Sequence, residues 1–285
     1  MVHEPLKRFL LIIIAACISA GCQQQAKEDT FAAEPNAEDV AAMAAYLSEA
    51  FEAAGGVQAW VQTKRLDLDG VVTFYRPDGS FYLTEHHFEI CPWSSSIRIS
   101  AKEPVADFVC EFSRGEFRTL KGDLKGDIAP AGVTYRDYAE AVLTVTTAPA
   151  RFLDSTARFV RDSTPVKIEG LWYWPVERLY PIQEQDEGGD QQILVGSAEA
   201  DEGGAAAPEP YWSKVVFYQN RESSLVNLLW FADVDEDKFL SVRGYDYAAT
   251  QDKGVLVPTK IEIFNTDALA VFKERMIEID FASLR

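Results

Sequence analysis

Hydrophobic and polar positions divide the chain into a helical start and a long series of short strands. Between Asn36 and Ala54, apolar residues recur every three or four positions, which places them on one face of an amphipathic helix. Gly55-Gly56 then supplies the left-handed backbone that commonly ends a helix. A short turn over Val57–Thr63 carries Trp60 towards the first strand. The pattern therefore predicts one N-terminal helix followed by a helical turn.

From Arg65 the hydrophobic period changes to two, which is typical of strands with one buried face. Arg76-Pro77-Asp78-Gly79 is a strong turn signal after the first strand. Four further strands are predicted at Phe81–Ile90, Ile97–Ala101, Val105–Phe112 and Glu116–Leu120. Tight turns between consecutive strands indicate an antiparallel meander with one packed face and one wetter face.

The middle of the chain is less regular. A glycine-containing loop is predicted over Gly122–Gly132, a helix over Arg136–Val145 and a second helical piece over Arg151–Val160. A strand follows at Val166–Val176. Residues 183–210 are acidic, rich in glycine and alanine, and without periodicity, so they are predicted to form an exposed, disordered insertion.

After the insertion, the period of two returns until the end of the chain. Strands are predicted at Tyr211–Tyr218, Leu225–Ala232, Phe239–Tyr247, Val255–Phe264 and Val271–Phe281. Pro258 has no N–H to donate, so its strand is predicted to be an edge strand or to be bulged. The whole pattern predicts an α+β fold in a single domain over residues 36–285, with about eleven mostly antiparallel strands.

The first residues have a different pattern. Met1–Arg8 carries two cations, and Phe9–Ile18 is an unbroken apolar run of about ten residues. A permanent transmembrane helix needs roughly 20 residues, so this run is too short for one. Small residues follow it. Residues 1–21 are therefore predicted to be a secretory signal peptide.

Ser19-Ala20-Gly21-Cys22 resembles the lipobox of bacterial lipoproteins. That resemblance implies that Cys22 is acylated (diacylglycerol, palmitate) and becomes the N-terminus, with residues 22–35 as a flexible tether. Gln23 after the cysteine favours the outer membrane, facing the periplasm, because Asp at this position marks inner-membrane retention in enteric bacteria. The alternative is an ordinary signal peptide with an incidental cysteine.

The net charge and the cysteine content indicate which partners and which compartment are compatible with the sequence. The chain carries a net charge of −18, so it lacks the excess of cations needed to bind nucleic acid. An anchor in the membrane would then be the acyl chains alone. Cys91 and Cys110 remain for a compartment where disulfides persist, and they either form a bridge or stay as two buried thiols.

The sequence contains only weak patterns of catalytic or metal-binding residues. His86 and His87 are adjacent in a strand, so their side chains point to opposite faces and cannot act as a pair. The acidic run from Asp233 to Asp237 imitates a calcium loop, but Lys238 and Gly244 occupy its required Gly and Glu positions. We therefore predict a hairpin turn there, no metal site, no cofactor and no enzymatic activity.

The order of elements is similar to the LolA/LolB/RseB-like superfamily. An amphipathic helix ends at Gly-Gly, a tryptophan follows, and a meander starts with LDLDGVVTFYRPDG. Near the C-terminus, GVLVPTKIEIFN is followed by ERMIEIDF. The resemblance implies a curved, unclosed antiparallel barrel capped by the N-terminal helix and one or two central helices.

The same resemblance implies an apolar cavity that holds lipid or lipoprotein acyl chains. Aromatic residues in the predicted strands are candidates for its lining: Phe74, Phe88, Phe108, Phe112, Trp172, Trp174 and Trp230. The main hypothesis is a non-enzymatic, lipid-anchored envelope lipoprotein that handles lipids. The alternative is an envelope interaction or stress-sensor module that recognises a protein partner, with the acidic insertion as its docking arm.

Overall fold

The computed structural model describes residues 37–102, 107–124, 127–129, 132–153, 157–179, 212–233 and 236–285. The predicted signal peptide, Cys22, the tether and the acidic insertion lie outside these ranges. No helix in the described part of the chain is long and apolar enough to cross a membrane.

Four helices and fifteen strands make up the described residues. The helices are α1 (Ala37–Ala53), α2 (Val57–Gln62), α3 (Tyr135–Thr146) and α4 (Ala148–Arg151). The strands before α3 are β1 (Leu66–Tyr75), β2 (Phe81–Cys91), β3 (Ser96–Lys102), β4 (Phe108–Ser113), β5 (Glu116–Lys121), β6 (Asp127–Ala129) and β7 (Val133–Thr134). The strands after α4 are β8 (Arg158–Arg161), β9 (Val166–Ile168), β10 (Leu171–Leu179), β11 (Lys214–Asn220), β12 (Val226–Asp233), β13 (Lys238–Ala249), β14 (Leu256–Thr266) and β15 (Phe272–Leu284).

One antiparallel sheet contains thirteen of these strands and is not closed. Its order is β5-β4-β3-β2-β1-β15-β14-β13-β12-β11-β10-β8, with β9 paired to β10. The last strand of the chain pairs with the first, so the two halves of the meander join at the middle of the sheet. The predicted α+β class with a curved, open antiparallel sheet is confirmed, although the sheet has thirteen strands where about eleven were expected.

Helix α3 lies against one face of this sheet and fills its concave side. It contacts β3 and β4 on one side of the sheet and β12, β13 and β14 on the other. The sheet turns alternate residues towards the helix, as the strict buried–half-buried pattern of β1 shows. On the helix, Tyr138, Ala141, Val142 and Val145 are buried in the same apolar core. Together with buried residues of α1, α2 and α4, helix α3 therefore occupies the place that a second sheet would take in a sandwich.

The N-terminal helix ends where the sequence predicted. Gly55 and Gly56 have φ of 104° and 91°, and a Cβ on Gly55 would lie only 2.6 Å from the Gly254 carbonyl oxygen. This close approach lets the Leu256 N–H donate to the Ala54 carbonyl at 2.9 Å. The Gly-Gly pair thus ends α1 and docks it against the start of β14.

A second apolar cluster lies on the opposite face of β10–β13. It is formed by buried side chains of these strands and by half-buried residues of β9 and of the start of β15 that pack over them. Its buried members are Tyr173, Val216, Tyr218, Leu228, Trp230 and Ala232. Strands β11 and β12 are therefore apolar on both faces, which explains the hydrophobic runs in their sequences.

Three predictions for the middle of the chain are wrong. Arg151–Val160 is not a helix, because α4 ends at Arg151 and β8 begins at Arg158. Val166–Val176 is two paired strands rather than one, since the backbone reverses at Glu169 and Gly170, both with positive φ. The loop Gly122–Gly132 contains the short strand β6. All three errors come from short elements whose ends depend on single turn residues.

Pro258 lies in β14, which is a central strand and not an edge strand, whereas the bulged alternative is confirmed by shifts in the register of β14 with β15 after Ile263 and after Asn265. It pairs with Tyr247 of β13, whereas β15 pairs with β14 only from Lys260 onwards. On that side Pro258 has no strand neighbour that would need its missing N–H. Opposite this region, Asp246 has a positive φ of 49°, which is a local irregularity in β13.

Candidate functional site

The most distinctive interior group is a histidine surrounded by aromatic rings on the concave face. His86 projects inwards from β2, is only 3% exposed, and its Nδ1 lies 2.9 Å from the Tyr138 hydroxyl of α3. Ring centroids of Phe74, Phe88 and Phe108 lie 6.0, 5.8 and 5.3 Å from the imidazole. We call these five residues the aromatic cluster. They join the central helix to the sheet.

Half-buried side chains lead from the aromatic cluster towards the β1–β2 hairpin. Tyr82 stacks on Phe74 with centroids 4.9 Å apart, and Tyr135 packs edge-on against Phe108 at 5.1 Å. Thr84 is also half-buried and lies between Tyr82 and His86 on the inner face of β2. We call Tyr82, Thr84 and Tyr135 the mouth, because here the concave face meets solvent.

Burial sets the protonation states of this region. Desolvation lowers the pKa of His86 to about 3, because the imidazolium would lose its hydration among aromatic rings. The same cause raises the pKa of Tyr138 well above its ordinary value and that of Tyr135 to about 12. At neutral pH the cluster is therefore uncharged.

This neutral histidine predicts an acid-sensitive fold. The pKa of His86 is lower in the folded chain than the ordinary 6.5, so the unfolded chain binds the proton more tightly and stability falls as the pH drops below 6.5. Between pH 6.5 and 5 the wild type should lose about 2 kcal/mol more than His86→Phe. Urea unfolding of both proteins at the two pH values measures this difference.

His87→Gln is the control, since His87 lies on the opposite face of the same strand and is one-third exposed. It should retain the loss of stability on acidification that burial of His86 causes. Equal acid losses in the wild type and His86→Phe would show that His86 is not held neutral by burial.

The N-terminus of α3 is held by a buried ion pair. Asp137 Oδ2 accepts from the Thr134 backbone N–H at 2.7 Å and from the Thr134 hydroxyl at 2.9 Å, and the Asp137 N–H donates back to that hydroxyl in a capping box. Lys238 Nζ of β13 lies 2.7 Å from the same carboxylate oxygen. Burial also raises the pKa of Glu140, one turn on, to about 7. The helix is thus fastened to the sheet by polar groups at this end.

A cation–aromatic stack lies at the other side of the concave face. The Arg161 and Arg221 guanidinium carbons lie 4.3 and 5.1 Å from the Trp174 ring centre. Arg161 also lies over the ring of Tyr46 in α1, at 5.7 Å. Such contacts are favourable when the cation is partly desolvated. They tie α1 to the β8–β10 edge.

The candidate lining residues fall into three groups. Phe74, Phe88, Phe108 and Phe112 lie inside the concave face and are at most 6% exposed, so at present they pack the core. Trp174 packs against the same core. Trp172 is 46% exposed, and Trp230 belongs to the cluster on the opposite face, where it stacks on Phe239 at 5.9 Å. Neither Trp172 nor Trp230 lines the concave core.

Trp230 was misassigned because β12 is buried on both faces. Alternation in the sequence does not tell which of two buried faces is concave. The contact of Tyr138 with His86 and that of Lys238 with Asp137 were not predicted from the sequence. Asp137 lies three residues after Thr134, a spacing that is typical of a capping box and could have identified the contact between these two residues. Lys238 is distant from Asp137 in sequence, so no local pattern could have identified that contact.

The outer face of β1 and β2 holds a small charged cluster. Asp67, His87 and Glu89 each offer one ligand atom, and these atoms lie within 4.8 Å of one another. Arg65 already pairs with Asp67 at 2.6 Å, and His87 Nδ1 contacts Asp69 at 2.7 Å. Asp67 and His87 therefore also contact side chains outside this group of three. As predicted, His86 and His87 are on opposite faces.

Cys91 and Cys110 are both free thiols. Cys110 belongs to the buried face of β4, and Cys91 is half-buried at the end of β2, out of phase with the buried residues His86, Phe88 and Ile90. The sheet therefore separates the two side chains, and of the two alternatives the structure shows unbridged cysteines.

No known family pattern matches the sequence, and no curated protein matches it. Several solved structures are similar to the chain, and three of them are described here. A LolA superfamily protein from Nitrosomonas europaea matches with a TM-score of 0.49 at 12% identity, over 85% of this chain and 91% of the other. A DUF1329 family protein from Desulfovibrio piger ATCC 29098 matches with a TM-score of 0.44 at 10% identity, over 85% and 91%.

The third is a domain described as an outer membrane lipoprotein-sorting protein, from Vibrio parahaemolyticus. Its TM-score is 0.41 at 11% identity, over 84% of this chain and 92% of the other. These values describe a distant likeness of fold.

Proposed function

We propose that this protein binds lipid or lipoprotein acyl chains on the concave face of its open sheet, without catalysing a reaction. The observation that supports this most is that helices, with α3 among them, cover the apolar concave face of a sheet that is not closed. A helix packed on a sheet can move away without breaking the backbone hydrogen bonds that hold a paired strand.

Acyl chains are the ligands that this surface fits. When α3 shifts, its buried residues and those of the sheet would lose their apolar contacts, and a hydrocarbon chain can replace them. Burial of each methylene is worth about 0.8 kcal/mol, so a long chain can offset a partial displacement of the helix. The uncharged aromatic cluster is suited to a neutral, apolar ligand.

Lipidation belongs to the same proposal and rests on the sequence. Cleavage before Cys22 and acylation of that cysteine would hold the domain in the cell envelope, with residues 22–35 as a tether, and Gln23 favours the outer membrane. Labelling of cells with radioactive palmitate should mark the wild type, and a Cys22→Ser variant should remain unlabelled.

The binding test uses residues 23–285 exported to the periplasm of a host cell and purified without detergent. Native mass spectrometry should find a phospholipid or fatty-acid mass on the protein. Fluorescence of added cis-parinaric acid, an 18-carbon fatty acid, should then give saturable binding. A protein that carries no lipid and takes up no probe would overturn the proposal.

A matched pair of variants shows where the chain binds. Tyr82→Ser removes an aromatic ring from the mouth and should weaken uptake of the probe about tenfold, since an aromatic side chain buries 150–250 Å². Phe81→Ser, on the other face of the same strand, removes a ring that is 58% exposed and should leave uptake unchanged. Equal effects of the two variants would place the ligand elsewhere.

A further inference from the structure

We propose that the aromatic cluster binds the ester carbonyl of a monoacylglycerol-type lipid, with His86 Nε2 as the hydrogen-bond donor. This inference rests on the proposed function and specifies the ligand. The acyl chain would lie between the sheet and the part of α3 beyond Tyr138, so that the contact of Tyr138 with His86 is kept, and the glycerol would point to the mouth.

The first observation is an unmet hydrogen-bonding group in the interior. His86 Nδ1 is 2.9 Å from the Tyr138 hydroxyl, whereas the buried Nε2 has no partner. Buried polar nitrogens are nearly always hydrogen-bonded, so one without a partner requires an explanation. The contact fits either tautomer of His86, and we assign the one in which the Tyr138 O–H donates to Nδ1. In that tautomer the neutral imidazole carries its hydrogen on Nε2 and needs an oxygen to accept it.

The second observation is another buried polar group without a hydrogen-bond partner, on the same face of β2. The Thr84 hydroxyl oxygen is also buried without a partner. Thr84 and His86 are two positions apart on β2, so their side chains lie on the same face about 7 Å apart along the strand. A hydroxyl that both donates and accepts therefore lies in the mouth, between Tyr82 and His86.

These two groups select the ligand chemistry. Aromatic rings surround the imidazole, and an ionised carboxylate is costly to bury there without a cation. An ester carbonyl accepts a hydrogen bond and carries no charge. A glycerol hydroxyl a few bonds away can pair with Thr84. Glycerol esters present both groups at one end of a single acyl chain, which matches the order chain, carbonyl, hydroxyl from the interior to the mouth.

The experiment compares two ligands that differ in the carbonyl alone. 1-Palmitoylglycerol is an ester, and 1-O-hexadecylglycerol is the ether with the same chain length. We expect residues 23–285 to bind the ester about fivefold more tightly, which corresponds to one ordinary hydrogen bond. His86→Phe should reduce the affinity for the ester to that for the ether.

A second measurement needs no substitution. Residues 23–285 contain only two histidines, so ring ¹⁵N spectra show only His86 and His87. The ester should shift the Nε2 resonance of His86, the ether should shift it much less, and His87 should serve as the internal control. This keeps the test decisive even if His86→Phe does not fold.

The possible results distinguish a failure of the carbonyl site from a failure of acyl-chain binding as a whole. Equal affinities for ester and ether with an unmoved His86 Nε2 would overturn the assignment of the carbonyl site and leave acyl-chain binding intact. Binding of neither ligand would overturn the proposed function itself. A shifted His86 with a preference for the ester supports both.

Discussion

Asp137→Ala should lower the free energy of unfolding by about 4 kcal/mol, because it removes one partner of a buried ion pair and also the helix cap. The Asp137 side chain is fully buried, and Lys238, with a side chain only 14% exposed, approaches it at 2.7 Å. The variant leaves the lysine without this carboxylate, and the Thr134 N–H loses its acceptor. Urea unfolding at pH 7.5 measures the loss.

An exposed ion pair of the same chain provides the control. Lys214 and Glu177 are 2.8 Å apart, with side chains 39% and 36% exposed. Because solvent screens such a pair, Glu177→Ala should cost less than about 1 kcal/mol. If Asp137→Ala were no more harmful than Glu177→Ala, α3 would be held by its apolar face alone, and the polar fastening described above would be irrelevant.

Trp60→Ala is the second change with a large expected effect, about 3–5 kcal/mol, the usual cost of truncating a buried large aromatic residue. Trp60 is fully buried in α2, and its indole Nε1–H donates to the Ala54 carbonyl at 2.9 Å. That carbonyl also accepts from Leu256 N–H. Loss of the ring should therefore loosen both α1 and its contact with β14.

Trp93→Ala tests whether burial is the cause. Trp93 is 42% exposed and lies beside Trp60, where its Nε1–H contacts the carbonyls of Trp60 and Thr63 at 3.2 and 3.1 Å. Its removal should cost about 1 kcal/mol, as for one shared hydrogen bond. Thermal unfolding followed by circular dichroism compares the two variants, and a smaller loss for Trp60→Ala than for Trp93→Ala would contradict the argument.

Ligand binding would require one part of the protein to stay folded and another part to move. Trp60 lies in the part that must stay folded while a ligand enters. Asp137 holds the helix that would have to move, and a partly weakened cap would favour the open form as well as destabilise the fold. A milder variant such as Asp137→Asn is therefore expected to raise the uptake of cis-parinaric acid while the chain still unfolds cooperatively.

The local order of elements followed from the sequence. Period-three-to-four spacing predicted α1, Gly55-Gly56 predicted its end, and alternation predicted the meander that begins with β1 and β2. Such patterns depend on residues a few positions apart, so they can be recognised from the sequence alone. The opposite orientation of His86 and His87 followed from the same rule. Short elements such as α4, β6 and β9 were missed, because single residues decide where they begin and end.

Which residues form the interior was decided only by the tertiary structure. The pairing of β15 with β1 sets which faces are concave, and only that pairing separates Phe88 in the core from Trp230 on the opposite face. The contact of Asp137 with Lys238 spans 101 positions, and that of His86 with Tyr138 spans 52. Alternation tells which residues share a face of a strand, but the curvature of the assembled sheet decides what each face meets.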